Sequence, residues 1–302
     1  MEKLSRLEFI CIQCKAPTVL GAVGILCVNC GENSLFQKNG SLAFVEIDKS
    51  VVYDAVDRIK SKIKRFGKLY SFLIDVVSPV YPLASNERRR EIRGAVNNNE
   101  IVMNLGSGAS DFGQNVINVD ILPYDSVDII CSIDNLPFAD NSVDLILNVA
   151  VLEHVPNPEQ VVSEFLRILK PGGRVYCFVP FIQGFHASPW DFQRYTKPGL
   201  QVLFSHFEVD SIVSVGPTSG LLWTLQEWVA LALSFGSKKV HTVIWLIVLL
   251  ISWPIKYFDF FLRHHPLAEN ISSGFSIKAR KPYQPGYKGS LEDFIDLNVQ
   301  SE

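Results

Sequence analysis

Four cysteines stand in two pairs near the start of the chain, Cys11 with Cys14 and Cys27 with Cys30. Two residues separate the members of each pair and twelve separate the pairs. That spacing suits two thiolate knuckles sharing one tetrahedral ion, with Gly31 allowing the tight turn after the second pair. Four thiolates leave no open coordination position, so the expected metal is structural Zn2+, with four-thiolate iron the main alternative. A module this small has little core, so metal binding would supply much of its folding energy. Cys131 and Cys177 complete the six and fall on predicted strands, where they read as small buried apolar residues.

A second constellation lies further on. The apolar run from Ile101 to Leu105 ends in Gly106-Ser107-Gly108-Ala109-Ser110, and Asp120 follows Gly106 by fourteen residues, at the end of the next apolar run. Glycines let a chain turn sharply after a strand and bring backbone N–H groups against a ligand. An acidic residue closing the second strand can accept both hydroxyls of a ribose. The alternative for Asp120 is a water-exposed strand end. A dinucleotide fold uses the same geometry, but it wants a third glycine near Ser110 and a spacing to the acid of roughly twenty residues. Both departures lean away from NAD.

These residues need a frame, and the pattern supplies one. Short apolar runs at Val116 to Val119, Asp128 to Cys131, Val143 to Asn148, Arg174 to Pro180, Phe207 to Ser214 and Gly274 to Ala279 read as further strands, with a helix over Pro158 to Leu169. Strands alternating with helices predict an α/β fold: a doubly wound, mostly parallel sheet of seven strands, the last an antiparallel edge partner. Residues 8–46 are expected to form the cysteine module, 50–97 a helical linker, 98–282 the main domain and 283–302 a tail. The linker reading rests on Val52, Val56, Ile59, Ile63 and Phe66 recurring at helical steps among charged residues. A length of 302 residues accommodates one full domain plus a small module. The formal charge of −3 gives no support for a broad basic nucleic-acid surface. The first residues hold no long apolar segment or small-residue cleavage site, so no secretory signal is expected.

Between the last two predicted strands the composition changes. Leu221 to Phe235 is an apolar helix candidate, and Val243 to Trp253 is an apolar run of 11 residues within a helical insertion expected over 219–265. A bilayer span needs about 20 residues. Lys238, Lys239 and His241 precede the run, Pro254 and Lys256 follow it, and Trp245, Trp253 and Tyr257 cluster around it. That pattern predicts a helix lying in or dipping into a membrane interface, with a buried cap helix, a homodimer face or a true span as alternatives.

Taken in order, the glycine loop, Asp120, Leu136-Pro137-Phe138, Ser142-Val143-Asp144, Val151-Leu152-Glu153-His154-Val155 and Leu169-Lys170-Pro171-Gly172-Gly173 resemble the class I S-adenosylmethionine-dependent methyltransferases, of the ubiquinone or small-molecule type. The resemblance covers most of residues 100–212. It implies that Asn104, Gly106, Ser107 and Gly108 hold the methionine part of S-adenosylmethionine and that Asp120 holds its ribose, with Ile121 and Asn148 also at the cofactor. Many members carry an acid four residues before the leucine of Leu-Pro-Phe, against adenine. Here that residue is Ser132, so adenine recognition falls to one or more of Ser132, the Ile133 backbone and Asp134. Asn104 replaces the acid that members commonly have before the glycine loop. The cysteine module resembles the ribbons that precede some members acting on RNA, although residues 8–46 hold only Lys15 and Lys38 as basic groups.

Methyl transfer from a sulfonium needs alignment more than acid–base machinery. A nucleophile of high pKa would also need a base, for which His154 and His186 are the candidates. His154 has packing or support of the cofactor pocket as its alternative. The segment from Pro180 to Thr196 further offers Asp191, Arg194 and Tyr195, in a stretch resembling one that faces the acceptor in part of the family. Arg194 could clamp a phosphate or carboxylate, or pair with Asp191 to stiffen the loop. The expected function is methyl transfer to a small or amphiphilic acceptor, lipid-linked, glycan or quinone-like, at the cytoplasmic face of a membrane. An RNA or protein methyltransferase and a non-catalytic scaffold are the alternatives; nucleic acid is the weaker expectation.

Overall fold

The computed structural model describes residues 3–37, 40–45, 86–186, 190–284 and 286–289. Residues 50–85 of the linker expected over 50–97, and most of the tail, lie outside these. The first strands, β1 (Thr18–Leu20), β2 (Gly24–Cys27) and β3 (Asn33–Leu35), form an antiparallel three-stranded sheet that carries the cysteines. Then come β4 (Leu42–Ala43), helix α1 (Asn86–Asn97), β5 (Val102–Leu105), β6 (Val116–Asp120), β7 (Ile129–Ile130) and β8 (Val143–Val149). Helix α2 (Pro158–Ile168), β9 (Leu169–Pro180), α3 (Lys197–Leu203), β10 (Glu208–Val215) and β11 (Gly274–Arg280) complete the main body.

The large sheet has eight strands in the order β10-β11-β9-β8-β5-β6-β7-β4. All seven expected strands are present. The strand order reverses between β5 and β8, which places a crevice at the carboxyl ends of β5 and β8, where ligands of open α/β sheets bind. Every residue of β5 and β6 is buried, as expected when helices cover both faces of a parallel sheet. Met103 lies opposite Ile117 on one side and Ile146 on the other. β11 runs antiparallel to both β9 and β10, so the sheet is mixed only at that edge.

The eighth strand comes from the amino-terminal module. Leu42 and Ala43 pair in parallel with Ile129 and Ile130, extending the sheet at its far edge. Phe9 stacks on Phe44 at 5.9 Å and tilts against Phe138 at 5.7 Å. Leu4, Leu7, Phe9, Ile25, Leu42 and Phe44 belong to the same apolar cluster as Met103, Val119 and Ile129. The module is therefore part of the core of the main domain.

Local chemistry sets the helix starts. Asn157 accepts from the Gln160 amide at 3.3 Å and Pro158 opens α2; Thr196 accepts from the Gly199 amide at 3.2 Å ahead of α3. The insertion between β10 and β11 is a helical hairpin. Helix α4 (Pro217–Ser234) and α5 (Lys238–Ser252) are joined through Phe235 and Gly236, both at positive φ, and α5 passes through a tight turn at Trp253–Phe258 into α6 (Asp259–Leu262). The Asp259 carboxylate accepts from the Thr218 amide at 2.7 Å and the Ser219 hydroxyl at 3.2 Å, fixing the start of α4. Of the apolar stretch Lys238–Leu262, only 17% is buried, so it is no core helix of this chain.

Candidate active site

A cleft of about 400 Å3 opens at the carboxyl ends of β5, β6, β7 and β8. Gly106 and Gly108 line it, as do Asp120 and Ile121 after β6 and Ser132, Ile133 and Asp134 after β7. Val151, His154 and Trp190 close the opposite side. The glycine loop and the acid expected to share one ligand therefore face one cavity.

The loop geometry has a steric cause. Gly106 holds φ at +74°, and an added Cβ would come within 2.4 Å of Val151. The amides of Gly106 and Ser107 both donate to the Val119 carbonyl, at 2.8 and 3.0 Å. The Gly108 amide donates to Asp120 Oδ2 at 2.7 Å. These three N–H groups thus tie the loop to the end of β6 and, as placed, do not point free into the cleft as the glycine pattern had led us to expect. Asp120 also accepts from the Leu122 amide at 2.9 Å on its other oxygen. Burial pushes its pKa above the usual carboxylate value, opposed by the backbone bonds from Leu122 and Gly108. Each oxygen keeps a second lone pair for a ligand hydroxyl.

On the adenine side of the resemblance, the Ser132 hydroxyl donates to Asp134 at 2.5 Å, and Gln160 donates to the Asp134 carbonyl at 3.0 Å. Tyr124 also lines the cleft; it sits in the loop after β6, where no spacing signal marked it. Asn104 and Asn148 are placed elsewhere. Asn104 is buried in β5 and donates to Asn118 at 3.1 Å, while Asn148 donates to the Leu105 carbonyl at 3.0 Å inside the sheet. Asn104 thus bonds across to β6 and Asn148 across to β5, and neither lines the cleft. Ser107 is likewise buried, its hydroxyl 3.4 Å from the Gly108 carbonyl.

The segment after β9 folds back over this opening. The Arg194 fork grips Asp191, with Nη2 donating to Oδ2 at 2.7 Å, and also donates to the carbonyls of Gln183 at 3.1 Å and Gly184 at 2.9 Å. The His186 amide donates to Asp191 Oδ2 at 2.8 Å. Arg194 is thereby committed to holding the loop, and the clamp expected for an acceptor anion is absent from this arrangement. Hydrogen bonds from Arg194 hold the Asp191 carboxyl down to about 2. Tyr195 is buried with its hydroxyl donating to the Leu152 carbonyl at 2.9 Å, away from the cleft, and burial pushes its pKa up.

The two histidines do meet. The His154 and His186 rings lie edge to face at 5.2 Å, and His154 Nδ1 is 2.5 Å from the Trp190 carbonyl. Between them sits Glu153, fully buried, with Oε1 3.8 Å from Nε2 of each ring. The proximity of Glu153 raises the His186 pKa, against partial burial. No spacing signal marks Glu153 as a site residue, because its partner His186 comes from another segment.

In the amino-terminal module, all four cysteine Sγ atoms lie within 4.8 Å of one another. Cys11 and Cys30 approach to 3.5 Å, as do Cys14 and Cys27. Zinc–sulfur bonds of about 2.3 Å in a tetrahedron put sulfurs about 3.8 Å apart, so the donor set fits a structural ion. Gly31 at φ +78° donates to the Cys27 carbonyl at 3.0 Å, which is the turn the spacing requires. The Asn29 side chain, first among several hydrogen-bond donors, lowers the Cys14 thiol to about 6.

Known proteins add the following. Residues 105–177 match the family model described as "Methyltransferase domain". An uncharacterized methyltransferase of Mycobacterium tuberculosis is 60% identical over 40 residues, 13% of this chain and 16% of that protein. One from Mycobacterium avium is 58% identical over 38 residues, 13% and 15% of the two chains. The chain thus spans about a sixth of the length of the curated relatives it matches. Among solved structures, geranyl diphosphate C-methyltransferase from Streptomyces coelicolor A3(2) is 15% identical, with a TM-score of 0.36 over 63% of this chain and 77% of that one. Phosphoethanolamine N-methyltransferase 2 of Haemonchus contortus is 18% identical, with a TM-score of 0.36 over 60% and 48%. The segment from Leu105 to Cys177 thus matches a methyltransferase domain, on a doubly wound sheet whose cleft lies at the strand-order switch, beside a four-cysteine cluster suited to zinc.

Proposed function

We propose that the chain transfers a methyl group from S-adenosylmethionine to a small or amphiphilic acceptor, lipid-linked, glycan or quinone-like, presented at a membrane surface. The observation that carries this reading is the single cleft shared by the glycine loop, Asp120 and the Ser132–Asp134 segment. Asp120 has spare acceptor capacity for ribose hydroxyls, and Ser132 with Asp134 offers polar atoms to adenine. When bound, the cofactor supplies an electrophilic methyl on a sulfonium whose leaving group departs neutral. The protein's work is then alignment: His154 and Trp190 confine the acceptor side, and the Asp191–Arg194 pair holds the loop that covers it.

The helical hairpin supports the membrane element. Lys238–Leu262 contains an 18-residue window of mean hydropathy 1.7 and leaves Leu246, Ile247, Leu250, Ile251, Phe258 and Phe261 exposed. Helix α5, at 15 residues, is about 22 Å long, short of a hydrocarbon core of about 30 Å. Lys238–Leu262 as a whole is long and apolar enough to cross a membrane, but it turns tightly at Trp253–Phe258 and is latched to α4 through Asp259, so we read it as a hairpin laid into one leaflet, with the catalytic domain on the cytoplasmic side. An interface between two copies is the competing cover.

The test is methyl transfer from labelled cofactor into fractionated cell extract, with lipid, RNA and protein pools counted separately. Label in the lipid or small-molecule pool is expected. Label confined to RNA or protein would overturn the acceptor class, and absence of cofactor binding by calorimetry would favour a non-catalytic scaffold. Vesicle flotation of the full chain against one lacking residues 221–262 tests the hairpin; unchanged partitioning would sink the membrane element.

A further inference from the structure

Glu153 poses a problem that methyl transfer alone does not solve. Its side chain is fully buried, and neither Oε1 nor Oε2 has a hydrogen-bond partner among the described residues. A buried carboxylate without a donor is costly, so such a group calls for a cation. The Asp191–Arg194 pair beside it is engaged with itself and gives Glu153 no hydrogen bond, so what faces the carboxylate directly is two imidazoles.

The imidazoles that face it are arranged in a specific way. His154 Nδ1 lies 2.5 Å from the Trp190 carbonyl and His186 Nδ1 lies 3.0 Å from the Gly184 carbonyl. Carbonyl oxygens only accept, so both rings carry their proton on Nδ1. Arg194 Nη2, 3.4 Å from His186 Nδ1, already donates to the Gly184 carbonyl and the Asp191 carboxylate. In the neutral rings Nε2 is then the nitrogen free to ligate, and each Nε2 lies 3.8 Å from Glu153 Oε1. A histidine whose Nδ1–H is held by a carbonyl while Nε2 faces an acidic group is the usual posture of a metal ligand. The three donor atoms lie within 4.8 Å of one another, and a shared ion would draw them to about 3.4 Å. His186 sits on a loop with its side chain 35% exposed, so that adjustment is open to it.

We propose that Glu153, His154 and His186 form a divalent-cation site beside the cofactor cleft, separate from the four-cysteine site. Two nitrogens and one carboxylate suit a first-row cation of the zinc or manganese kind better than magnesium. Three protein ligands leave coordination positions open, and His154 lines the cleft, so those positions are offered to an oxygen of the acceptor. This last element rests on the proposed function; the site itself does not.

The experiment uses the full chain supplied with one equivalent of Zn2+ for the four thiolates and titrates Mn2+, which thiolates bind poorly, following free Mn2+ by electron paramagnetic resonance. One Mn2+ per chain is expected to bind, at least tenfold more weakly in both Glu153→Gln and His186→Ala. His186→Ala sits on a partly exposed loop and keeps the fold, so it tests the site even where Glu153→Gln disturbs packing. No Mn2+ bound by the native chain, or equal binding in the native chain and His186→Ala, would overturn the site and leave a protonated histidine as the cation opposite Glu153. Calorimetry of S-adenosylmethionine on the same samples, without Mn2+, separates the readings: lost cofactor binding with intact Mn2+ binding strikes the methyl-transfer reading alone.

Discussion

Gly106 and Val151 are packed so closely that a methyl group on the glycine would stand 2.4 Å from Val151 Cγ2. The contact joins the end of β5 to the end of β8, on the two sides of the strand-order switch. Gly106→Ala is therefore expected to cost about 1–3 kcal/mol of overpacking, plus the strain of a left-handed backbone at φ +74°. Gly108, at φ +53° with nothing within 4 Å of an added Cβ, supplies the control, expected to cost about 1 kcal/mol. Denaturant midpoints of the two variants, and of Gly106→Ala combined with Val151→Ala, check this. Equal midpoints for the two glycine variants, or no recovery in the double variant, would remove the steric account.

Asp120 serves two masters, the loop amides and the cleft. Asp120→Asn keeps one acceptor oxygen and should bind S-adenosylmethionine well over tenfold more weakly, since a charged hydrogen bond is worth about 1.5–3 kcal/mol. Burial raises the Asp120 pKa above 3.8, so its carboxylate protonates earlier on acidification than an exposed aspartate. Cofactor affinity should then fall with decreasing pH from above the ordinary carboxylate range, and this limb should be absent in Asp120→Asn. Calorimetry across pH for both proteins decides it; a parallel loss in both would assign the limb to the cofactor.

What was legible in the sequence followed from local chemistry. Asp120 was findable because a strand of five buried residues fixes where its carboxylate emerges, and the cysteines because knuckle spacing determines where sulfur points. What was not legible depends on distant segments meeting. Leu42–Ala43 is too short to show a period, yet it joins the sheet because Phe9, Phe44 and Phe138 pack together behind it. Asn104 and Asn148 occupy positions that read as ligand-facing, but cross-strand partners in Asn118 and Leu105 satisfy them first. Glu153 carries no signal of its own, because His186, more than thirty residues on, cannot be placed beside it by spacing. The helical insertion was read from composition, but its latch, Asp259 against Thr218 and Ser219, was not.

The four-cysteine module should be a structural part of the methyltransferase domain and not an independent appendage. The Leu42 amide donates to the Asp128 carbonyl at 2.9 Å and the Phe44 amide to the Ile130 carbonyl at 2.8 Å, completing the edge of the sheet. Removing zinc with a chelator is expected to lower the thermal midpoint of the whole domain, at about 2–4 °C per kcal/mol for a chain of this size. Differential scanning calorimetry with and without chelator checks it. A domain transition unmoved by metal removal would show that the module contributes no stability beyond itself.

The Asp191–Arg194 pair sets how the covering loop responds to acid. Arg194 holds the folded-state carboxyl near 2, below its ordinary value of 3.8. A depressed carboxyl contributes stability that is fully present above the unfolded value and is lost as pH falls from about 3.8 through about 2. The side chain is only 1% exposed, so solvent screens this pair little. The readout is the His186 amide, whose hydrogen bond to Asp191 Oδ2 at 2.8 Å should protect it from exchange. In the native protein its protection should persist through pH 4 and then decline across the acid window. In Asp191→Asn, protection should be weak at every pH and carry no such step. Arg194→Lys should behave nearly as badly, because an ammonium cannot reproduce the planar fork that reaches Asp191 together with the Gln183 and Gly184 carbonyls. A lysine variant with native protection would mean that charge alone, and not the fork, holds the loop over the cleft.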